Sequence, residues 1–237
     1  ENGLDANVSI KPTAFGLLLD PSEAAKNIED LCKKAAEHDM FVRLDMEDHR
    51  VTQATLDVVT ELHGKGVTNV GAVLQARLFR TLDDIESLCN TLGDSTDFRI
   101  CKGIYLEPAE IAHTDYRPIN DAFTDCIDAS LEKGAYVAIA THDKPIVESS
   151  LRLLDKHGLK ISSKGSKPGK GPGYEFQMLL GVRGEMRRKL LAKGHRVRIY
   201  VPYGEKWYEY SMRRLRENPD VAWHVTKALL MPWSNRR

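Results

Sequence analysis

Two textures alternate along this chain. Short apolar runs rich in Val, Ile, Leu and Phe are separated by longer stretches in which apolar residues return every three or four positions, and that alternation predicts strands followed by amphipathic helices. The runs are Asn7-Val-Ser-Ile-Lys-Pro12, Met40-Phe-Val-Arg-Leu-Asp-Met46, Asn69-Val-Gly-Ala-Val-Leu-Gln-Ala76, Phe98-Arg-Ile-Cys-Lys-Gly103, Ala135-Tyr-Val-Ala-Ile-Ala-Thr-His142, Tyr174-Glu-Phe-Gln-Met178 and Val197-Arg-Ile-Tyr-Val201. Helical periodicity covers about 21–38, 51–62, 81–92, 120–133, 144–157 and 182–193. Asp20-Pro21 is a cap followed by proline at the first helical position, Gly64-Lys-Gly66 is a stop, and Thr81 reads as a cap for the third helix.

A β-α unit recurs about every 30–40 residues, which argues for parallel strands with helices outside. Each run reads as nearly continuous apolar sequence, as burial on both faces requires. The polar residues collect at the C-terminal ends: Lys11, Asp45, Gln75, Arg99 with Lys102, and Thr141 with His142. In a (β/α)8 barrel of the TIM type those ends converge on the face where active sites form. A doubly wound open sheet has the same alternation, but no Gly-x-Gly-x-x-Gly follows the first strand. The expectation is one distorted barrel domain over 1–237, trimmed at the N-terminus, with an eighth strand upstream of the seven counted. The Gly/Ser/Lys/Pro stretch 162–173 is expected to be a flexible surface loop. The segment 205–218 is expected to be a helix carrying the adjacent Arg213 and Arg214, which alone is no more than a solvated basic face.

Composition narrows the function classes. The 34 basic residues are balanced by 34 acidic ones, so no bulk field draws the chain to nucleic acid. Cys32, Cys89, Cys101 and Cys126 show no Cys-x-x-Cys spacing and read as reduced thiols of a cytoplasmic or matrix-like compartment, neither a metal site nor a disulfide framework. No window is long and apolar enough for a membrane span. Taken singly, the strand-end residues have plain structural readings: Lys11 as a snorkelling lysine, Asp45 or Glu47 as a helix cap, His142 as a satisfied core histidine. Together they outline a cationic pocket of Lys11, Arg99, Lys102, Arg213 and Arg214 with few acids, suited to a small carboxylate and a phosphate-bearing cofactor.

The ordered series Asn-Val-Ser-Ile-Lys11, Leu-Asp45-Met-Glu-Asp, Leu-Gln75-Ala, Arg99-Ile-Cys-Lys102-Gly-Ile-Tyr105, Ala-Thr141-His142-Asp, Tyr-Glu-Phe-Gln177-Met, Arg-Ile-Tyr200-Val-Pro-Tyr-Gly and Arg213-Arg214-Leu-Arg-Glu217-Asn resembles the proline dehydrogenase family, including that domain of the bifunctional PutA proteins. The resemblance implies FAD at the C-terminal ends of the strands, oxidation of L-proline to Δ1-pyrroline-5-carboxylate, and electron transfer to a quinone by a bacterial cytoplasmic protein able to associate peripherally with the inner membrane. It implies catalytic roles for Asp45 and Arg99, and substrate contacts for Lys11, Tyr200, Tyr210, Arg213 and Arg214. Tyr200 would favour proline over hydroxyproline. FAD contacts are implied for Met46, Gln75, Arg99, Lys102, Gly103, Ile104, Tyr105, Thr141, His142 and Glu217. Ile104 stands where the family usually has alanine, Asp143 where it usually has asparagine, and this short version is expected to retain FAD weakly. Two other readings of the same residues are a Schiff-base aldolase or lyase using Lys11 or Lys102, and a non-catalytic barrel that binds an anionic metabolite.

Overall fold

The computed structural model describes residues 5–159 and 173–204. The expected loop 162–173 and arginine helix 205–218 therefore lie outside the described residues, except for Gly173, which opens a strand rather than ending a loop.

Seven strands, β1 (Asn7–Ile10), β2 (Phe41–Leu44), β3 (Val70–Gln75), β4 (Asp97–Cys101), β5 (Tyr136–Ala140), β6 (Gly173–Leu179) and β7 (Val197–Tyr200), form one sheet in sequence order, every pair parallel. Between them run α1 (Pro21–Ala36), α2 (His49–Gly64), α3 (Thr81–Leu92), α4 (Tyr116–Glu132), α5 (Lys144–Lys156) and α6 (Gly184–Ala192). This is the α/β barrel architecture the alternation predicts, with an eighth strand not among the described residues.

Local chemistry explains several boundaries. Asp20 caps α1, accepting from the N–H groups of Ser22 (3.0 Å) and Glu23 (3.1 Å), with Pro21 at the first helical position. Asp48, not Asp45 or Glu47, caps α2 through the N–H of Arg50 at 3.0 Å. Glu47 instead accepts from the N–H (3.1 Å) and hydroxyl (2.9 Å) of Thr13 in the 3₁₀ turn after β1. Thr81 does not cap α3; it is the first helical residue, and its hydroxyl donates to the carbonyl of Gln75 at 2.6 Å, tying the helix to the end of β3.

Curling of the sheet follows from reach. In a flat sheet β4 and β1 would lie about 14 Å apart, given a strand spacing near 4.8 Å. Yet Arg99 of β4 touches Ser9 on β1, Asp45 just past β2, Gln177 on β6 and Tyr200 on β7. Arg198 on β7 likewise donates to the Asp5 carbonyl, just before β1, at 2.9 Å. The two edge strands are thus joined by a side chain, though no backbone ladder pairs them.

The strands are not apolar on both faces. Val42, Leu44, Val70, Ala72, Leu74, Phe98, Ile100, Val137, Ile139, Phe176 and Met178 belong to the main core with the buried faces of the helices, including Ile28 of α1, Val59 of α2, Ile85 of α3 and Phe123 of α4. Alternate positions carry Arg43, Asp97, Arg99, Glu175, Gln177 and Arg198, all buried except Arg198. The reason is compensation, since a buried charge is tolerable when paired and hydrogen-bonded. Arg43 pairs with Asp97 and also donates to the carbonyls of Ala72 and Asp97, both at 3.1 Å. To get there its guanidinium crosses β3 over Gly71, where an added Cβ would sit 2.6 Å from the Asp97 carbonyl and 2.9 Å from Arg43 Nη1.

Gly71→Ala is therefore expected to destabilise by at least the about 1–3 kcal/mol of an overpacked core, whereas Gly64→Ala, with open space around it at the end of α2, should stabilise by about 0.4–1 kcal/mol. Urea unfolding of both variants checks this; equal midpoints would contradict the close approach.

Candidate active site

The C-terminal ends of the strands enclose a cavity of about 380 Å³, within the range of small-molecule sites. Of the residues singled out in the sequence, Lys11, Asp45, Met46, Gln75, Arg99, Lys102, Gly103, Ile104, Tyr105, His142 and Tyr200 line it. Thr141 does not; it is buried, and its hydroxyl accepts from the N–H of Asp143 at 3.0 Å. Tyr210, Arg213, Arg214 and Glu217 lie outside the described residues.

Arg99 is the hub, and it is placed differently from expectation. It sits in the middle of β4, not at its end, so its long side chain rises through the interior to the cavity floor. Its Nε donates to Gln177 Oε1 at 2.5 Å, Nη1 pairs with Asp45 Oδ1, and Nη2 donates to the Ser9 hydroxyl at 2.8 Å. The Tyr200 ring lies under the guanidinium, 5.4 Å from its centre, and the Tyr200 hydroxyl donates to the other Asp45 oxygen at 3.1 Å. Four strand ends are thereby locked around one cation.

Lys102 is also committed. Its amine is 2.6 Å from Asp143 Oδ2 and 4.4 Å from the centre of the Tyr116 ring, while the Tyr116 hydroxyl donates to the same carboxylate oxygen at 2.6 Å. Burial alone would push the Asp143 carboxyl up, but the hydrogen bonds from Lys102 and Tyr116 outweigh it and hold the group below the ordinary carboxylate value. Lys11, by contrast, makes no ion pair with any described residue and stands exposed on the cavity wall. His142 lines the cavity, partly buried, and its Nε2 accepts the N–H of Leu179 at 2.9 Å, so a neutral ring carries its proton on Nδ1.

The loop 102–115 forms one wall and is tied down twice. Arg77 donates to the carbonyls of Tyr105 (2.5 Å) and His113 (3.2 Å), and buried Glu107 accepts from the N–H (3.0 Å) of His49 and meets its ring nitrogen (2.5 Å) at the start of α2. Gly103 takes a left-handed φ of +96°, and a Cβ there would strike Arg77 Cδ at 2.7 Å and Gln75 Oε1 at 2.8 Å. Burial pushes the thiol of Cys101, the cysteine on the cavity wall, up to about 11, which keeps it protonated near neutral pH.

A family model described as proline dehydrogenase matches residues 2–227. The chain belongs to the proline dehydrogenase family. It is 36% identical over 232 residues to the proline dehydrogenase of Deinococcus radiodurans, covering 96% of this chain and 71% of that one. To proline dehydrogenase 1 of Bacillus subtilis subsp. natto it is 34% identical over 230 residues, covering 97% and 72%. Among solved structures it resembles proline utilization A (PutA) from Bdellovibrio bacteriovorus inactivated by N-propargylglycine, with a TM-score of 0.70 and 24% identity over 84% of this chain. A PutA variant from Bradyrhizobium japonicum gives a TM-score of 0.68 at 22% identity over 88% of the chain. The chain spans 22% and 23% of those two PutA chains, and at such identity the likeness establishes the fold alone. The proline dehydrogenase family is flavin-dependent, and this chain is a proline dehydrogenase enzyme by membership.

The sequence shows Gln177 and Asp143 within the family motifs but gives no role to Gln177, to Glu175 behind it or to Ser9, and no sign that Asp143 pairs with Lys102. The available signal is the period-two alternation in Tyr174-Glu-Phe-Gln-Met178, which marks Glu175 and Gln177 as sharing one face.

The lowered Asp143 carboxyl fixes a pH dependence. A folded-state value below the unfolded one means the unfolded chain binds more protons, so the contribution is complete above the ordinary carboxylate range and disappears as pH falls through the depressed value. The Tm difference between the wild type and Asp143→Asn is therefore expected at pH 7 and should shrink in acid; a constant difference would contradict the Lys102 pairing.

Proposed function

We propose that the cavity holds the flavin as FAD, that L-proline binds above it with its carboxylate on Lys11, and that the electrons leave to a membrane quinone at a peripherally docked protein. The reaction of the family, proline to Δ1-pyrroline-5-carboxylate, removes a hydride from C5 and the proton from nitrogen and leaves a C5=N double bond. The flavin supplies the acceptor for that hydride, the hard part of the chemistry. The chain's own residues supply orientation, charge and shelter.

The observation that carries the reading is the division of labour among the cations. Arg99 and Lys102 already hold carboxylates of the protein, whereas Lys11 makes no ion pair with a described residue and so is the cavity cation suited to an incoming carboxylate. Arg213 and Arg214, outside the described residues, complete the carboxylate clamp in this proposal, with Tyr210 as a further substrate contact and Glu217 as an FAD contact. Asp45 and Arg99 are the catalytic pair, with Tyr200 stacked beside Arg99 where it limits the room for a hydroxylated ring.

The residues present suit a flavin. Val73, Met178 and Leu179 give apolar wall for a flat ring, while Gln75, Lys102 and the backbone at Gly103 give polar contacts beside it. Met46, Ile104, Tyr105 and His142 lie around the same cavity and are proposed to flank the cofactor; Thr141 acts on it only by fixing the backbone at Asp143. Asp143 neutralises Lys102, which favours weak retention of the cofactor's phosphates. Among the described residues no helix is long and apolar enough to cross a membrane; the proposed quinone contact is a peripheral one. A Schiff-base lyase is disfavoured because Lys102 is paired with a carboxylate and Lys11 stands exposed to water, neither of them in the apolar surroundings that free an amine for attack.

The purified protein reconstituted with FAD is expected to show a flavin spectrum that bleaches on anaerobic addition of proline; an oxidised spectrum that persists would refute the reading. Lys11→Met should raise KM for proline roughly 10- to 150-fold, the equivalent of one charge-assisted bond of about 1.5–3 kcal/mol, and steady-state kinetics with an unchanged KM would remove Lys11 from the substrate contacts.

A further inference from the structure

We infer that Gln177 and Glu175 are positioning residues that set the plane of the Arg99 guanidinium. The inference rests on the proposed catalytic place of Arg99 and extends it to Gln177, which lines the same cavity, and to Glu175 buried behind it.

Asp45 and Ser9 hold the two terminal nitrogens of Arg99 from the β1–β2 side. Nε is held from the other side, by Gln177 Oε1 at 2.5 Å. A planar fork with all three nitrogens engaged has one orientation, and loss of the Nε partner leaves it held on one side only, by Asp45 and Ser9.

The orientation of the Gln177 amide is itself determined. Its Nε2 donates to Glu175 Oε1 at 2.6 Å, which leaves Oε1 facing Arg99. The flipped amide would set N–H against N–H at Arg99 and oxygen against carboxylate at Glu175, two repulsive contacts in place of two bonds. Glu175 is wholly buried and immobile, because Arg198 grips it through Nε (2.7 Å) and Nη2 (2.9 Å) and Tyr136 donates to it at 3.2 Å. Arg198 is fixed in turn by the Asp5 carbonyl at 2.9 Å. The chain Asp5–Arg198–Glu175–Gln177–Arg99–Asp45–Tyr200 therefore runs without a break from the seam between the edge strands to the substrate cavity.

Packing alone does not require this arrangement. A methionine would fill the space of Gln177, which is 4% exposed, without a polar atom to satisfy. In place of the amide oxygen methionine offers the Arg99 Nε–H only a weak sulfur acceptor.

The test uses Gln177→Met in the FAD-loaded enzyme and in the cofactor-free protein. With FAD, kcat for proline is expected to fall tenfold or more with KM changed less than threefold, and the loss should vanish in an Arg99→Met background. Without cofactor, the Arg99 Nε–H resonance, assigned by its disappearance in Arg99→Met, should be protected from solvent exchange in the wild type and broadened in Gln177→Met. Full additivity with Arg99→Met, or an unchanged resonance and kcat in a folded variant, would overturn the inference. Should Gln177→Met fail to fold, Gln177→Asn keeps the amide but shortens its reach and is read the same way. A wild type that neither binds FAD nor oxidises proline would defeat the proposed function instead, and the resonance arm would still decide the role of Gln177.

Discussion

One cation organises this barrel. Arg99 rises from the middle of β4 to the cavity floor with little access to water, and its three nitrogens are held by partners on β1, after β2 and on β6. Placing them within reach of one side chain is possible only if the sheet curls, and the same curl makes the cavity. Below Arg99 the pattern repeats: Arg43 with Asp97, and Arg198 with Glu175, put each buried charge against its opposite. Such pairs add little to stability compared with an apolar filling, because desolvation offsets most of their attraction. Their effect here is on register, since a strand slipped by one residue would turn Arg43, Arg99 or Glu175 into the apolar layer under the helices.

The committed cations also define the functional surface. A site meant for an anion cannot have all its positive groups neutralised from within, and among the described residues Lys11 is the cavity lysine without an ion pair. Arg99 is held by Asp45 and Lys102 by Asp143, so each presents a fixed, partly neutralised charge to whatever lies over the cavity floor. The loop carrying Gly103, Ile104 and Tyr105 is pinned by Arg77 and Glu107 from the outside. Its backbone is thus set before any ligand arrives, which lowers the cost of ordering on binding.

Strand number, order of elements and the face bearing the chemistry could be read from the sequence because period-two and period-3.6 patterns are local. Lys11, Asp45 and Gln75 were readable as a cluster because each follows directly on an apolar run, where a barrel turns its strand ends to one face. Arg99 was misplaced to a strand end because Asp97 two positions earlier was not recognised as strand; an acid beginning a buried strand makes sense only with Arg43, 54 residues away in sequence. The same non-local compensation concealed Glu175 and Arg198. The reason for glycine at position 71, the Arg43 side chain passing over it, exists only in three dimensions. Asp143 was noticed as a departure from the family pattern, but its pairing with Lys102 needed the fold.

The central claim is that Arg99, locked between Asp45 and Gln177, forms the floor of a flavin and proline site. The most direct measurement is a crystal structure of the protein with FAD and a non-oxidisable five-membered-ring carboxylate. The account predicts the flavin ring in the cavity against Arg99, the Arg99 contacts to Asp45 and Gln177 intact, and the ligand carboxylate on Lys11. A flavin bound elsewhere, or an Arg99 side chain swung away from both partners, would contradict it.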